Sequence, residues 1–344
     1  MSKKTKSKYK VVVLVHRDLV PPDSPTKEQL INPEWIAEYE IVQTLLKLGH
    51  EVHVLGVLSD IDKIREVLSL FNPDIVFNLL EEFDENIHYD QHIVSYLELR
   101  KFPYTGCNPR GLTLSRDKAL SKKILSYHRI KVPKFQVFPK NQKISKQKPF
   151  PYPMIVKSLV EEASNGISQA SVVNNFEDLV SRVQYIHEKL DTDAIAEQYI
   201  GGREFYVGIL GNKRLQILPV WELKLENIPS SSRKFATERV KWDEKYRKKY
   251  SIESVQAKGL DPKELERIQT ICKKAYRVLG LNGYARIDIR YTPDNEVYII
   301  EANPNPGIAK GDEFPDSAKS LGISYEDMIS KILSLGLSWY QSRR

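Results

Sequence analysis

The chain has 344 residues, of which 41% are hydrophobic and 28% are charged, and its formal net charge is +7. A chain of this length is expected to divide into two or three domains, and this composition excludes the disordered and fibrous classes. Five of the lysines lie within the first ten residues, so the positive charge belongs in large part to a short basic tail and argues only weakly for a nucleic-acid partner.

Apolar stretches are short throughout the sequence. None approaches the ~20 residues that a membrane-spanning helix needs, so no membrane segment is expected. The apolar run at residues 11–15 is too short for the core of a signal peptide, so secretion is not expected. The two cysteines, Cys107 and Cys272, lack the spacing of metal ligands. These features favour a cytoplasmic protein without disulfide bonds.

Strand and helix patterns alternate in the first hundred residues. The pair Asn32-Pro33 is typical of a helix start, and Gly49 is typical of the end of that helix. Strands are predicted for residues 11–15, 51–58 and 74–80, and helices for residues 33–49, 61–71 and 87–100. Strands that alternate with helices indicate a parallel sheet. We expect this first domain to close after Tyr104-Thr105-Gly106 and assign it residues 1–112.

A lysine at the end of a strand marks the next part of the chain. After a basic helix from Asp117 and a Pro- and Lys-rich connection at residues 133–153, the apolar strand 154–157 ends in Lys157. Lys157 directly precedes a small-residue loop with Ser164-Asn165-Gly166, whose backbone amides can be exposed. This placement suits contact with phosphates beneath a lid, although a lone lysine is most often a surface residue.

Two further strands, at residues 194–199 and 204–210, flank Gly201-Gly202. They form either a hairpin or a crossing between domains. Glu197 and Glu204 on these strands could accept hydrogen bonds from a base or ribose, or could simply face water.

A basic segment at residues 239–249 stands out in the remainder of the chain. It is interleaved with Trp242, Tyr246 and Tyr250, a pattern that nucleic-acid-binding surfaces also show. Cations around a polyphosphate substrate explain the same residues. A helix is predicted at residues 264–279, and a capping box at Ser324 opens the last helix.

Two motifs, Arg286-Ile287-Asp288 and Glu301-Ala302-Asn303, flank a turn signal and predict a β-hairpin. Polar and apolar residues alternate in the first strand, and in the second Val297, Ile299, Glu301 and Asn303 share one parity, so each set is expected to share one face. A four-residue loop would place Arg286 opposite Glu301.

The hairpin also predicts a metal site. The carboxylates of Asp288 and Glu301 and the amide of Asn303 are hard oxygen ligands, which favours magnesium over zinc. An ion-pair network without a metal is the alternative interpretation.

The order of these motifs is that of the ATP-grasp enzymes, and the motifs resemble those of the D-alanine–D-alanine ligase family. The matching segments are Tyr104-Thr105-Gly106, Asp117-Lys118, Ile155-Val156-Lys157, Gly202-Arg203-Glu204-Phe205, the hairpin strand from Gly283 to Asp288, and Glu301-Ala302-Asn303-Pro304-Asn305-Pro306-Gly307. The resemblance implies an α/β ATP-grasp fold in three parts. An N-terminal parallel-sheet domain (1–112) would precede two α+β subdomains (113–198 and 199–344) that enclose ATP.

The resemblance also implies the cofactors and the site. The cofactors would be ATP and two magnesium ions, which manganese could replace, with the metal held by Asp288, Glu301 and Asn303. The residues that would contact ATP are Lys118, Lys157, Ser164, Gly166, Glu197 at the adenine and Glu204 at the ribose. Arg286 would stabilise charge on the tetrahedral intermediate, Lys241 would reach the γ-phosphate, and the Gly307 amide would donate to the oxyanion.

The implied reaction is that of an ATP-dependent ligase that activates a carboxylate as an acyl phosphate, which an amine attacks to give an amide. The sequence departs from the family on the amino-acid side of the site. Residues 16–25 replace a glycine-rich loop, the acidic run 81–86 replaces a glycine-rich segment, and Ala163 replaces a serine. D-alanine alone is therefore expected to be a poor substrate, and the acidic run is expected to face either solvent or a cationic, amine-bearing substrate.

Two other functions stay open at this point. One is a phosphotransferase on the same scaffold, and the other is a nucleotide- or nucleic-acid-binding protein without ligase activity. The joint presence of Arg286, Asp288, Glu301 and Asn303 argues against the second, because binding alone does not need all four. We expect small-molecule carboxylate and amine substrates, no nucleic acid and no membrane, with a homodimer as one option for the assembly.

Overall fold

Three β-sheets with helices packed against them make up the chain, and the computed structural model describes residues 8–31, 33–144, 150–160, 166–225, 227–229 and 233–343. The N-terminal part contains β1 (Lys10–His16), α1 (Ile36–Lys47), β2 (Glu51–Val57), α2 (Ile61–Phe71), β3 (Ile75–Asn78) and α3 (Asp90–Leu99). Its strands are parallel in the order β2-β1-β3, which confirms the predicted parallel sheet. Asn32 of the predicted helix start lies outside the described residues.

Local sequence explains how these elements begin and end. The central strand β1 buries Val11 to Val15, as expected for a parallel strand covered on both faces. The Asp60 side chain accepts a hydrogen bond from the Asp62 amide at the start of α2, and Asn72 ends that helix with φ +49°.

The middle part carries an antiparallel sheet in the order β4-β7-β5-β6. Its elements are α4 (Pro109–Arg116), α5 (Lys118–Tyr127), β4 (Phe135–Phe138), β5 (Met154–Ser158), β6 (Val172–Val173), α6 (Phe176–Tyr185) and β7 (Ala194–Gln198). The Pro- and Lys-rich connection at residues 133–153 contains β4, which the sequence did not predict. Four residues are too few to show a clear period. The domain boundaries at residues 112 and 198 stay predictions.

The C-terminal part is built on a six-stranded sheet in the order β11-β10-β8-β12-β13, with β9 paired to β8. Its elements are β8 (Arg203–Leu210), β9 (Gln216–Ile217), β10 (Trp221–Lys224), α7 (Glu238–Trp242), α8 (Glu244–Lys249), β11 (Glu253–Gln256), α9 (Pro262–Val278), β12 (Tyr284–Tyr291), β13 (Val297–Pro304), α10 (Glu313–Ser320) and α11 (Tyr325–Gln341). Because β7 and β8 belong to different sheets, Gly201-Gly202 is a crossing and not a hairpin. A Cβ on Gly202 would lie 2.2 Å from the Tyr291 carbonyl oxygen, so glycine is required there.

The hydrophobic cores show which parts pack as units. One core extends from Val12 and Leu14 of β1 to Ile287 and Ile299 of the C-terminal hairpin. The middle sheet has a separate core that includes Val156, so it packs as a unit of its own. No helix among the described residues combines the length and apolarity needed to cross a membrane.

Candidate active site

The β12–β13 hairpin places the expected metal ligands side by side, but in a different register. Asp288 lies opposite Glu301, and Arg286 lies opposite Asn303. The prediction that Arg286 would lie opposite Glu301 is therefore wrong. The loop is one residue longer than expected, and the register shifts once more next to Asp288.

A β-bulge at Ile300 decides which side chains of β13 reach the site. Because β13 carries one extra residue there, the alternation of its side chains reverses. Val297 and Ile299 before the bulge lie in the core, whereas Glu301 after it lines the site cavities. The prediction that Val297, Ile299, Glu301 and Asn303 share one face is therefore wrong.

Basic side chains contact both carboxylates of the hairpin. The Arg286 guanidinium donates to the two oxygens of Asp288 over 2.7 and 3.0 Å, and Lys118 Nζ lies 3.0 Å from Glu301 Oε1. Burial alone would raise the pKa of Glu301, but the charges of Lys118, Lys157 and Lys241 outweigh burial and hold that pKa at about 2. Glu301 is therefore a carboxylate at neutral pH.

The donor set of the hairpin fits magnesium. Asn303 Nδ2 is buried and makes no hydrogen bond with the described residues, and rotation of the amide exchanges its oxygen and nitrogen. Among the described residues, no three His, Cys, Asp or Glu side chains form a metal-binding group. The chain thus offers two carboxylates and one amide. Magnesium is typically held by one or two carboxylates together with substrate phosphates and water.

A cleft with a cavity volume of about 80 Å³ lies between the middle and C-terminal sheets. Ile155 of β5 lines it from one side, and Ile289 and Ile300 line it from the other. Its charged lining residues are Lys157, Glu197, Glu204, Lys241, Asp288, Arg290 and Glu301. Such a cleft, with apolar walls and charged residues, suits a ligand with a planar apolar part and an anionic part.

Glu197 is held by two buried lysines. Lys122 Nζ lies 2.9 Å from Glu197 Oε1, and Lys157 Nζ lies 3.2 Å from the same oxygen. Lys122 also donates to the Ile300 carbonyl oxygen over 2.7 Å, at the bulge. Burial is the main cause that lowers the pKa of Lys122 to about 8, and the charge of Lys157 adds to it.

Lys122 is a site residue that the sequence did not predict. It lies one helical turn after Lys118 on α5, and this spacing places both lysines on one helix face. That spacing is the signal that could have identified it, since both side chains reach acidic partners in the site.

The Glu204 carboxylate lines the cleft and is held in one orientation by three hydrogen bonds. Arg290 lies 2.6 Å from its Oε2, the Ala236 amide donates to the same oxygen over 3.2 Å, and the Tyr206 hydroxyl donates to Oε1 over 3.0 Å. Arg290 thus joins the site as a positioning residue for Glu204.

The loop after β5 is joined to α7 by hydrogen bonds. The Gly166 amide donates to the Glu238 carboxylate over 3.1 Å, and the Glu238 amide donates to the Ile167 carbonyl oxygen over 2.9 Å. The Gly166 amide, which was expected to bind phosphate, therefore donates its hydrogen bond to the Glu238 side chain. Ser164 and Ala163 lie outside the described residues.

A second cavity of about 450 Å³ adjoins the cleft between the sheets, and Lys241 and Glu301 line both. Its lining includes Glu81, Tyr206, Trp242, Arg247, Arg286, Asn303, Gly307, Asp312 and Glu313. Three residues of the basic segment line these cavities, namely the basic residues Lys241 and Arg247 and the aromatic Trp242.

The acidic run at residues 81–86 is divided between the two expected environments. Glu81 lines the second cavity and is itself exposed, whereas Asp84 and Glu85 are exposed without lining that cavity. Glu82 lies 3.5 Å from His16 Nε2. Only Glu81 therefore belongs to the site.

Comparison with known proteins identifies relatives of the chain. The family described as D-ala D-ala ligase C-terminus matches residues 124–334. The D-alanine–D-alanine ligase of Carboxydothermus hydrogenoformans is 31% identical over 311 residues, which cover 88% of this chain and 92% of that protein.

Solved structures show the same fold. The D-alanine–D-alanine ligase of Bacillus anthracis in complex with ATP has a TM-score of 0.74 at 22% identity and covers 97% of this chain and 100% of its own. The VanG D-Ala:D-Ser ligase of Enterococcus faecalis has a TM-score of 0.69 at 19% identity and covers 96% and 100%. These likenesses support the ATP-grasp fold expected from the sequence.

Proposed function

We propose a residue-level mechanism for this chain, which belongs to the D-alanine–D-alanine ligase family and is an ATP-dependent carboxylate–amine ligase. A carboxylate oxygen of the first substrate attacks the γ-phosphorus of ATP, and ADP leaves. The amine of the second substrate then attacks the acyl carbon, phosphate leaves with that carboxylate oxygen, and an amide remains. The observation that carries this proposal is the junction of the two cavities at Lys241 and Glu301.

The cleft between the sheets is the proposed nucleotide site. Its apolar walls would enclose the adenine, and the oriented carboxylate of Glu204 would accept hydrogen bonds from the ribose. Lys118 and Lys157 would contact the phosphates, and the Gly166 amide would do so once it exchanges the Glu238 carboxylate for a phosphate oxygen. Glu197 would hold the buried lysines at the adenine end. Ser164 would belong to the same phosphate loop.

The hairpin is the proposed magnesium site. Asp288, Glu301 and Asn303 would hold two ions, which neutralise charge on the transferring phosphate when bound. Lys118 Nζ lies 3.0 Å from Glu301, and Arg286 pairs with Asp288, which supports the proposal that both cationic groups would contact the phosphates beside the metal.

The second cavity is the proposed site of amide formation. The Gly307 amide would donate to the oxygen of the tetrahedral intermediate, and Arg286 and Lys241 would stabilise charge on that intermediate and on the γ-phosphate. Positioning and charge stabilisation carry most of this chemistry.

A cytoplasmic location agrees with two free, buried cysteines, Cys107 and Cys272.

Hydroxylamine provides the test. It intercepts acyl phosphates as hydroxamates, so carboxylates can be screened with ATP and magnesium before the natural amine is known. We expect one hydroxamate per phosphate released, with at least one carboxylic acid other than D-alanine. A stable phosphorylated product without hydroxamate would instead assign a phosphotransferase, and an absence of turnover with every acid would contradict the proposal.

A further inference from the structure

We propose that Arg182 is a positioning residue for the nucleotide phosphates. Its guanidinium would fix the peptide group between Gly166 and Ile167, so that the Ile167 amide donates to a phosphate oxygen. This inference rests on the proposed function, which makes the cleft between the sheets the nucleotide site. Arg182 belongs to none of the motifs that carry the resemblance to the ligase family.

The Arg182 guanidinium is buried without a neutralising carboxylate. The residue is 8% exposed and lies in the last turn of α6. In the part of the chain that the structure describes, no acidic side chain pairs with it, and its buried Nε makes no hydrogen bond. Burial therefore lowers the pKa of Arg182, and the Tyr185 ring, 4.3 Å from the guanidinium carbon, offsets this only in part. Since a buried cation without an anion is costly, a specific contact is expected to hold it there.

The contact that Arg182 makes is with the loop after β5. Its Nη2 donates to the Gly166 carbonyl oxygen. Gly166 has φ +66°, and a Cβ there would lie 3.0 Å from the Leu190 side chain, so the backbone is held closely against the chain that follows α6. The Gly166 carbonyl and the Ile167 amide belong to one planar peptide group. Arg182 therefore sets the direction of the Ile167 amide.

Ile167 brings this peptide group to the cleft. Ile167 lines the cleft together with Lys157. Its carbonyl oxygen accepts a hydrogen bond from the Glu238 amide over 2.9 Å, whereas its own amide donates to no group among the described residues. A guanidinium at the carbonyl oxygen polarises the peptide group and makes its N–H a stronger donor. A phosphate bound at this amide would also offset the uncompensated charge of Arg182.

A comparison of two ligands separates this role from a general effect on the fold. The full chain with magnesium is titrated by calorimetry with a non-hydrolysable ATP analogue and, separately, with adenosine. We expect Arg182→Met to weaken binding of the analogue by about tenfold or more, as is typical for loss of one hydrogen bond to a charged group. Affinity for adenosine should stay unchanged, because adenosine has no phosphate.

Two further variants sharpen the comparison. Arg182→Lys keeps a cationic donor for the Gly166 carbonyl oxygen and should recover part of the lost affinity for the analogue. Gln184→Met is the matched control, because Gln184 is an exposed residue of the same helix, and it should leave both affinities unchanged. If Arg182→Met does not fold, Arg182→Gln replaces it, since glutamine removes the charge but keeps a polar side chain.

Three results would each overturn the inference: unchanged affinity for the analogue without the arginine, an equal loss of affinity for adenosine, or no recovery with lysine. Any of these results, with a wild-type chain that forms hydroxamate, refutes the role of Arg182 alone. A wild-type chain that binds no ATP analogue or forms no hydroxamate refutes the proposed function itself.

Discussion

Replacement of Lys122 by methionine should weaken both the fold and the metal site. The lysine is 1% exposed and contacts the Glu197 carboxylate and the Ile300 carbonyl oxygen. Removal of one member of a buried ion pair typically costs about 3–5 kcal/mol. Because Glu197 keeps Lys157 as a second partner, we expect a loss at the lower end, about 3 kcal/mol in the free energy of unfolding.

The Lys122→Met substitution should also weaken metal binding at the proposed site, through the β-bulge at Ile300. Without Lys122 the Ile300 carbonyl oxygen loses its hydrogen-bond donor. The proposed metal ligand Glu301 is the next residue in the chain, so its position should change as well. Loss of a group that orients a metal ligand typically weakens metal affinity by about 10- to 100-fold. We therefore expect the magnesium concentration that half-saturates binding of a non-hydrolysable ATP analogue to rise by about tenfold or more.

Urea unfolding and magnesium titration measure the two effects separately. Lys123→Met is the matched control, because Lys123 is the exposed neighbour on the same helix and should change stability by less than about 0.5 kcal/mol. An unfolding free energy equal to that of the control would refute the ion-pair argument. A loss of stability with unchanged magnesium dependence would refute the link from Lys122 to Glu301.

Two other predictions concern the site itself. The Glu301→Gln and Asp288→Asn variants should stay folded but lose magnesium-dependent turnover, measured as phosphate release, by about 10³-fold or more. Near-normal turnover in either variant would contradict the metal assignment. Lys157→Ala should weaken binding of a non-hydrolysable ATP analogue in calorimetry, and unchanged affinity would exclude Lys157 from the nucleotide site.

The strands and helices with strong patterns were predictable from sequence. The buried run in β1, the amphipathic stripe of α2 and the Ser324 N-cap of α11 each follow from local spacing and capping chemistry, although the reciprocal bond of the predicted capping box is not formed. Strand β4 was not predictable, because its four residues pair with β7 through contacts distant in sequence. The proposed ligands of the metal hairpin could be named from sequence, because their residue types alone restrict the chemistry.

The register of that hairpin was not predictable from alternation. A bulge adds one residue without any local signal, and Ile300 resembles its neighbours Ile299 and Val297 in type. Two tertiary contacts also could not be predicted from the local sequence. The bridge from Lys122 to Ile300 joins residues 178 positions apart, and the contact between Gly307 and Asp312 depends on how the loop before α10 folds back.

Oxygen transfer from the carboxylate tests the central claim most directly. With a donor acid that forms a hydroxamate, both carboxylate oxygens are labelled with ¹⁸O, and the phosphate released during amide formation is analysed by mass spectrometry. If the chain forms an acyl phosphate, each phosphate carries one ¹⁸O atom from the acid and the amide retains the other. Unlabelled phosphate would show that water, not the carboxylate, receives the phosphoryl group, and would contradict the ligase mechanism.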